Sequence, residues 1–210
     1  PGHDPHSVIL FAPEHRLLMS ADALWQNGFG VVFPELVGVD AFDEVAQTLD
    51  LIERLDPATI IPGHGAVFTE VGPALALARS KLEGFAQNPE RHARYGAKVL
   101  LKFKLLEWGQ ITHADFSAWA MKVPYMRALH HRFGQGHSLN IWLDMMLSEL
   151  ARSVVWNLLR NACQYTDEGE IRIIVQGTTL IIADTGPGLP PDLPHVPLWR
   201  LPFLPRRPRV

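Results

Sequence analysis

Residues 58–65 read ATIIPGHG, a short apolar run that ends in a glycine-flanked histidine. Thr59 to Ile61 predicts a buried strand, because threonine and isoleucine favour extended backbone and the Pro-Gly pair that follows ends it. His64 then lies on a loop at the end of this strand, where a rigid scaffold can hold an exposed side chain for chemistry.

Two upstream segments have the same form. PGHDPHS fills residues Pro1 to Ser7 and SADAL fills residues Ser20 to Leu24, and each borders a short apolar run. His3, Asp22 and His64 are therefore predicted to project together from loops at strand ends.

The elements between these segments are predicted to alternate between strand and helix. Ser7 to Ala12 and Leu17 to Ser20 indicate two strands joined by a turn. Ala41 to Leu55 places apolar residues at helical spacing with acidic residues between them, and Pro57 ends that helix. This order is typical of an α/β layered sandwich.

The order and context of the three segments resemble the second half of the metallo-β-lactamase fold, the family of lactamases, glyoxalase II enzymes and related hydrolases. The resemblance implies a partial αββα sandwich with a one- or two-metal centre, usually zinc. It implies that His3 serves one metal, His64 serves the other, and the Asp22 carboxylate bridges them. The remaining family ligands come from an HxHxDH motif, which this sequence lacks. Each metal would then have only two protein ligands, fewer than zinc sites usually have.

The sequence departs from the family pattern at two positions. His6 and Ala21 stand where relatives often have glycine, so the loop geometry is expected to differ, because histidine and alanine resist backbone angles that glycine permits. Alternatively, His6 is an adventitious ligand. The remaining histidines have no comparable motif and are interpreted as surface or packing residues; they are His15, His92, His113, His130, His131, His137 and His195.

From Val71 to about Ser153 the pattern changes to helices, most of them separated by proline or glycine. The predicted helices are Pro73 to Gln87, Glu90 to Glu107, His113 to Lys122, Tyr125 to Arg132 and Leu139 to Ser153. The family resemblance implies a helical extension after the last metal ligand. We interpret it as packing and as a wall of the substrate pocket.

Val154 to Leu193 contains NLLRNACQYT, then two β-rich runs around a glycine, then DTGPG. Its pattern predicts a helix followed by two antiparallel strands. These motifs resemble the N-box and first glycine box of the histidine-kinase ATP-binding domain, the Bergerat fold. The resemblance is partial, because no H-box, ATP lid or later glycine box is recognisable.

The kinase resemblance implies nucleotide-binding residues in both motifs. Asn161 would help to hold Mg²⁺ against the phosphates, supported by Asn157 on the same helical face. Asp184 would accept a hydrogen bond from the adenine amino group. Gly186 and Gly188 would let the backbone approach the nucleotide closely. Mg·ATP is thus the second expected cofactor, with weak affinity because no lid would enclose the phosphates.

Composition limits the classes of partner. The chain has 210 residues, 47% of them hydrophobic, with 19 basic and 22 acidic residues and a net charge of −3. This charge gives no electrostatic case for nucleic acid, and the lack of an apolar run of about 18 residues gives none for a membrane. The single cysteine, Cys163, excludes an internal disulfide and, with no leader recognisable, favours the cytoplasm.

Four regions are predicted: a partial metallo-β-lactamase-like metal-site region at 1–70, a helical extension at 71–153, a partial ATP-binding segment at 154–193 and a Pro/Arg-rich tail at 194–210. Pro187 to Val210 holds eight of the 17 prolines, so the tail is expected to be irregular or PPII-like. The tail is either a ligand for an aromatic-lined groove or an acidic partner, or an assembly or reading-frame artefact.

The leading hypothesis is a metal-dependent hydrolase of the metallo-β-lactamase superfamily, truncated and weakly active or inactive as this chain. Its substrate would be a small molecule with an ester, thioester, lactam or similar bond. A complementing N-terminal half is a candidate partner, and the missing HxHxDH motif leaves open whether the chain is an enzyme. The alternatives are an ATP-binding module of a histidine-kinase-like signalling protein and a non-catalytic chimera.

Overall fold

A computed structural model describes residues 2–109, 111–166, 168–176 and 179–186. The chain divides into two compact units, one that runs up to Asp144 and one that begins at Met145. Helices and strands both occur, so the fold class is mixed α/β. Within these ranges, no helix combines the length and the apolar character needed to cross a membrane.

The first unit contains a three-stranded sheet in the order β1-β2-β3. β1 (Leu10–Ala12) runs antiparallel to β2 (Leu17–Ala21), and the 3₁₀ turn Pro13–His15 connects them. β2 runs parallel to β3 (Thr59–Pro62). The carboxyl ends of β2 and β3 therefore meet at one edge of the sheet.

The three strands lie where the sequence predicts them, with different bounds. The first begins at Leu10 rather than at Ser7, because the chain turns there and the Ser7 amide donates to the Asp4 carbonyl at 3.1 Å. α1 (Phe33–Leu36), a single helical turn with a proline near its start, is not among the predicted helices.

Two helices pack with this sheet around one apolar core. α2 (Phe42–Leu55) connects β2 to β3 as predicted, and its buried side chains recur at three- and four-residue spacing. α3 (Val71–Gln87) follows β3. The central core side chains are Leu18, Leu24, Phe29, Val32, Val45, Leu49, Ile52, Ile60, Leu75, Leu82 and Phe85. Burial of each large apolar side chain contributes about 1.5–3 kcal/mol to stability.

Three further helices of the first unit follow between residues 89 and 133. They are α4 (Pro89–Trp108), α5 (His113–Lys122) and α6 (Pro124–Phe133). The predicted helices in this region are confirmed to within one residue at each end. Asn88 and Thr112 explain two of the starts, because their side chains accept hydrogen bonds from backbone amides in the first turn of α4 and α5.

α7 (Leu139–Tyr165) is followed by β4 (Ile171–Gln176) and β5 (Thr179–Asp184), which pair antiparallel. The predicted helix and pair of strands are confirmed. The predicted helix end at Ser153 is wrong: α7 continues through it, since the sequence of this helix holds no glycine or proline to break it. The predicted tail at 194–210 lies outside the described residues.

Candidate functional site

The sheet topology brings two of the three predicted metal ligands to one edge. Asp22 directly follows β2, and His64 follows β3 after a short turn. Because these strands are parallel neighbours, their carboxyl-terminal loops lie side by side. His3 joins them from the N-terminal segment, which is tied down by a 3.1 Å hydrogen bond from the Phe33 amide to the His3 carbonyl.

Asp22 stands between the two histidines. His3 Nε2 lies 3.2 Å from Asp22 Oδ2, and His64 Nε2 lies 3.7 Å from Asp22 Oδ1. The His64 side chain is 61% exposed, whereas those of Asp22 and His3 are 28% and 17% exposed. The cluster therefore opens to solvent on the side of His64.

The contact of His3 Nδ1 determines the tautomer of this histidine. His3 Nδ1 lies 2.5 Å from the Val31 carbonyl oxygen, which can only accept, so Nδ1 carries the proton. Nε2 is then left facing a carboxylate oxygen, and this contact is favourable only with a proton or a cation on the nitrogen. The hydrogen bond to Asp22 accordingly raises the pKa of His3, opposed by burial, and lowers the pKa of Asp22.

Trp25 belongs to the site and was missed by the sequence analysis. Its Nε1 donates to Asp22 Oδ1 at 3.1 Å, and its ring meets the His64 ring edge-on with centroids 5.2 Å apart. Trp25 therefore orients both the carboxylate and the exposed imidazole. The only signal in the sequence is an aromatic residue three positions after the aspartate.

Two glycines leave room for the cluster. A Cβ at Gly63 would lie 2.8 Å from Asp22 Oδ1, and a Cβ at Gly30 would lie 2.6 Å from His3 Nδ1. Side chains essentially never approach this closely, so both positions favour glycine. Gly63 belongs to the PGHG motif at residues 62–65, whereas no motif in the sequence indicates Gly30.

The two departures from the family pattern have different structural consequences. Ala21 has a φ of 45°, in the left-handed region that glycine takes at low cost, and it lies at a register shift between β2 and β3. His6 is not among the described residues with positive φ, and its amide donates to Asp4 Oδ1 at 2.9 Å. Only Ala21 therefore carries the backbone strain that loss of a glycine produces.

The donor types of this cluster fit a zinc site. Zinc in proteins takes imidazole nitrogen and carboxylate oxygen, and a bound histidine usually gives its other N–H to a backbone carbonyl or carboxylate, as His3 does. In this structure, however, both imidazole Nε2 atoms lie against the carboxylate oxygens of Asp22. Among the residues described, no group of three or more His, Cys, Asp or Glu side chains is arranged to hold a metal ion.

The predicted nucleotide-binding residues lie on two elements of the second unit. Asn157 and Asn161 are both exposed on α7, four residues apart and hence on one face. Asp184 is the last residue of β5, and Gly186 comes two positions later. Gly188 lies outside the described residues.

Comparison with protein families finds two matches. Residues 1–64 match the metallo-beta-lactamase superfamily, and residues 146–203 match the histidine kinase-, DNA gyrase B-, and HSP90-like ATPase family. Both resemblances are thus confirmed as matches to separate regions, each less than half of the chain. The match does not support the narrower prediction that the first region is the second half of its family fold. No curated protein matches the chain significantly.

Proposed function

We propose that residues 1–64 are the metal-binding segment of a metallo-β-lactamase-type hydrolase, in which His3, Asp22 and His64 bind zinc. The observation that supports this proposal is the convergence of two imidazole Nε2 atoms on the two carboxylate oxygens of Asp22. When bound, zinc supplies a Lewis acid that polarises a carbonyl group and lowers the pKa of a water molecule. The substrates of this chemistry are small molecules with an ester, thioester or lactam bond.

The residues of the chain divide the work of holding the ion. His3 presents Nε2 in a fixed direction, because the Val31 carbonyl holds its Nδ1 proton. Asp22 offers one oxygen toward each histidine, and Trp25 fixes the oxygen on the side of His64. His64 is the most exposed of the three and has the most freedom to adjust.

We further propose roles for the elements around the site. The three strands with α2 and α3 form part of an αββα sandwich, and the helices that follow form a wall of the substrate pocket. Because the sequence lacks HxHxDH, a second segment that carries such a motif is the partner that would complete a two-metal centre.

Zinc titration of the wild type and of Asp22→Ala tests the metal site. Loss of the shared carboxylate should weaken zinc binding at least about tenfold. The matched control is Asp50→Ala, which removes an exposed aspartate on α2 that pairs with Arg79 at 2.7 Å. Equal zinc affinity in Asp22→Ala and the wild type would refute the site.

The ATPase-family match favours a second function. We propose that residues 146–203 form part of a Bergerat-like segment that binds Mg·ATP weakly, as in a histidine-kinase-like signalling protein. Asn161 would contact the magnesium ion and phosphates, supported by Asn157, and Asp184 would contact the adenine. The position of both asparagines on one exposed face of α7 supports this assignment.

NMR titration with ATP, with and without Mg²⁺, tests the second function. Asn161→Ala should weaken binding only when Mg²⁺ is present, whereas Asp184→Ala should weaken it in both conditions. Gln164→Ala, at another exposed position of α7, is the control and should bind like the wild type. A folded sample with no shifts at millimolar Mg·ATP would leave the non-catalytic chimera as the better description of this segment.

A further inference from the structure

Residues 28–32, here called the 28–32 loop, lie directly against the proposed metal ligands. The Gly30 amide donates to the Asp22 backbone carbonyl at 2.9 Å, and the Val31 carbonyl accepts the proton of His3 Nδ1. The glycine at position 30 also sets how closely the loop approaches the His3 ring. The positions of both ligands therefore depend on where this loop lies.

Two side chains from outside the loop bind its other backbone groups. Lys81 on α3 donates from Nζ to the Phe29 carbonyl at 3.1 Å. His92 on α4 accepts at Nε2 from the Val32 amide at 3.2 Å. The two outer residues, Phe29 and Val32, thus bind side chains of helices, and the two residues between them bind the proposed metal ligands.

The Lys81 ammonium group is held in a fixed position. It lies 4.9 Å from the ring centroid of Phe29 and 4.7 Å from that of Tyr95, distances at which the faces of aromatic rings attract cations. Burial lowers the pKa of Lys81 to about 8, so the group is still mostly protonated and able to donate at neutral pH.

His92 is suited to accept a hydrogen bond. The residue is only 1% exposed, and the rings of Phe42 and Phe85 pack edge-on against its imidazole. Burial, followed by the charges of Lys81 and Arg132, lowers its pKa to about 4. The imidazole is therefore neutral at physiological pH and leaves Nε2 free for the Val32 amide.

We propose that Lys81 and His92 are positioning residues of the metal site, which hold the 28–32 loop so that it orients His3 and Asp22. This inference rests on the proposed metal-binding function. Each side chain acts through the backbone group of the loop that it binds. The two helices that follow the matched metallo-β-lactamase region thereby determine the geometry of the site inside it.

Zinc affinity measured on variants of the 210-residue chain tests the proposal. His92→Leu removes the acceptor and Lys81→Met removes the donor while keeping most of the buried volume, and each should weaken zinc binding about tenfold, as loss of an outer-shell contact does. His92→Gln keeps an acceptor oxygen and should recover most of the affinity. Leu101→Ala creates a cavity on α4 and controls for lost stability, because it should leave the affinity of the folded protein unchanged.

A second measurement needs no metal. The Nδ1–H proton of His3, recorded at neutral pH where Lys81 is still mostly protonated, should give a far-downfield resonance protected from exchange in the wild type, because it is hydrogen-bonded to the Val31 carbonyl. This resonance should move upfield or broaden in His92→Leu and Lys81→Met. An unchanged His3 resonance in both variants would overturn the proposal whatever the zinc result. If the wild type binds no zinc while the resonance responds, the metal-binding function fails and the positioning role stands.

Discussion

At the scale of single residues, Ala21 shows how one side chain affects the candidate site. It stands immediately before Asp22 in the left-handed region of backbone angles, with φ of 45°. Alanine in this region is disfavoured by contacts of its Cβ, whereas glycine is not. The structure therefore gives a physical meaning to a departure from the family pattern that the sequence only indicates.

Ala21→Gly should stabilise the protein by about 1 kcal/mol, since it relieves this conformational strain. Ala46→Gly on α2 is the matched control and should destabilise by about 1 kcal/mol, the ordinary cost of glycine within a helix. Urea unfolding followed by circular dichroism measures both free energies. A loss of stability in Ala21→Gly would contradict the strained geometry.

The lowered pKa of His92 makes the free energy of unfolding depend on pH. Its pKa is about 4 in the folded protein against 6.5 in the unfolded chain, so between these values the unfolded chain binds more protons. The free energy of unfolding should consequently fall as pH drops from 6.5 to 4, by about 3 kcal/mol from this group. The contribution is fully present above pH 6.5.

Denaturant unfolding of the wild type and His92→Gln at several pH values isolates this contribution, because other groups titrate equally in both proteins. The difference between the two free energies of unfolding should shift in favour of His92→Gln as the pH is lowered. A constant difference across this range would show that His92 titrates equally in the folded and unfolded states, so that folding does not lower its pKa.

At the scale of elements, α7 behaves as one continuous helix across the point where the sequence changes character. Ser153 lies within it, and its hydroxyl donates to the Glu149 carbonyl at 2.9 Å, as serine often does inside helices. The change of motif at this point reflects composition and does not end the helix.

Ser153→Pro should destabilise α7 by about 3 kcal/mol, because proline removes a backbone hydrogen bond and clashes with the carbonyl of the preceding turn. Ser153→Ala should change stability little. Circular dichroism gives the helical content of each variant, and urea unfolding gives its stability. If Ser153→Pro were as stable and as helical as the wild type, the helix would end near Ser153, as the sequence predicts.

At the scale of the whole molecule, the chain matches two family models, and the site residues proposed for each lie in different compact units. The first unit contains His3, Asp22 and His64, and the second contains Asn157, Asn161 and the residues at the end of β5. The two proposed binding functions can therefore be tested separately on the same protein.

Residues 1–210 by themselves should bind zinc weakly and hydrolyse ester or lactam substrates slowly, since two protein ligands for each metal fall short of the usual three or four. Isothermal titration gives the affinity and stoichiometry, and a chromogenic lactam gives the rate. Tight binding of two zinc ions per chain would contradict an incomplete centre.

The sequence by itself determined most of the local structure and the donor types of the candidate metal site. Apolar spacing predicted α2 to α6, and the β-rich runs around glycine predicted β4 and β5, because such patterns depend on neighbouring residues. The motifs also identified both family regions and the donor types of the candidate metal site. Helix α1 could not be predicted in the same way, because a single turn is too short to show a period.

Only the tertiary structure decided how the site is held together. His3 meets the Val31 carbonyl across 28 positions, and the Val32 amide meets His92 across 60. Every residue has the same backbone groups, so the sequence does not indicate which of them a side chain will bind. Contacts over such separations depend on how the helices pack against the sheet. The chain's pattern could therefore name His3, Asp22 and His64, whereas packing alone gave Trp25, Lys81 and His92 their places around them.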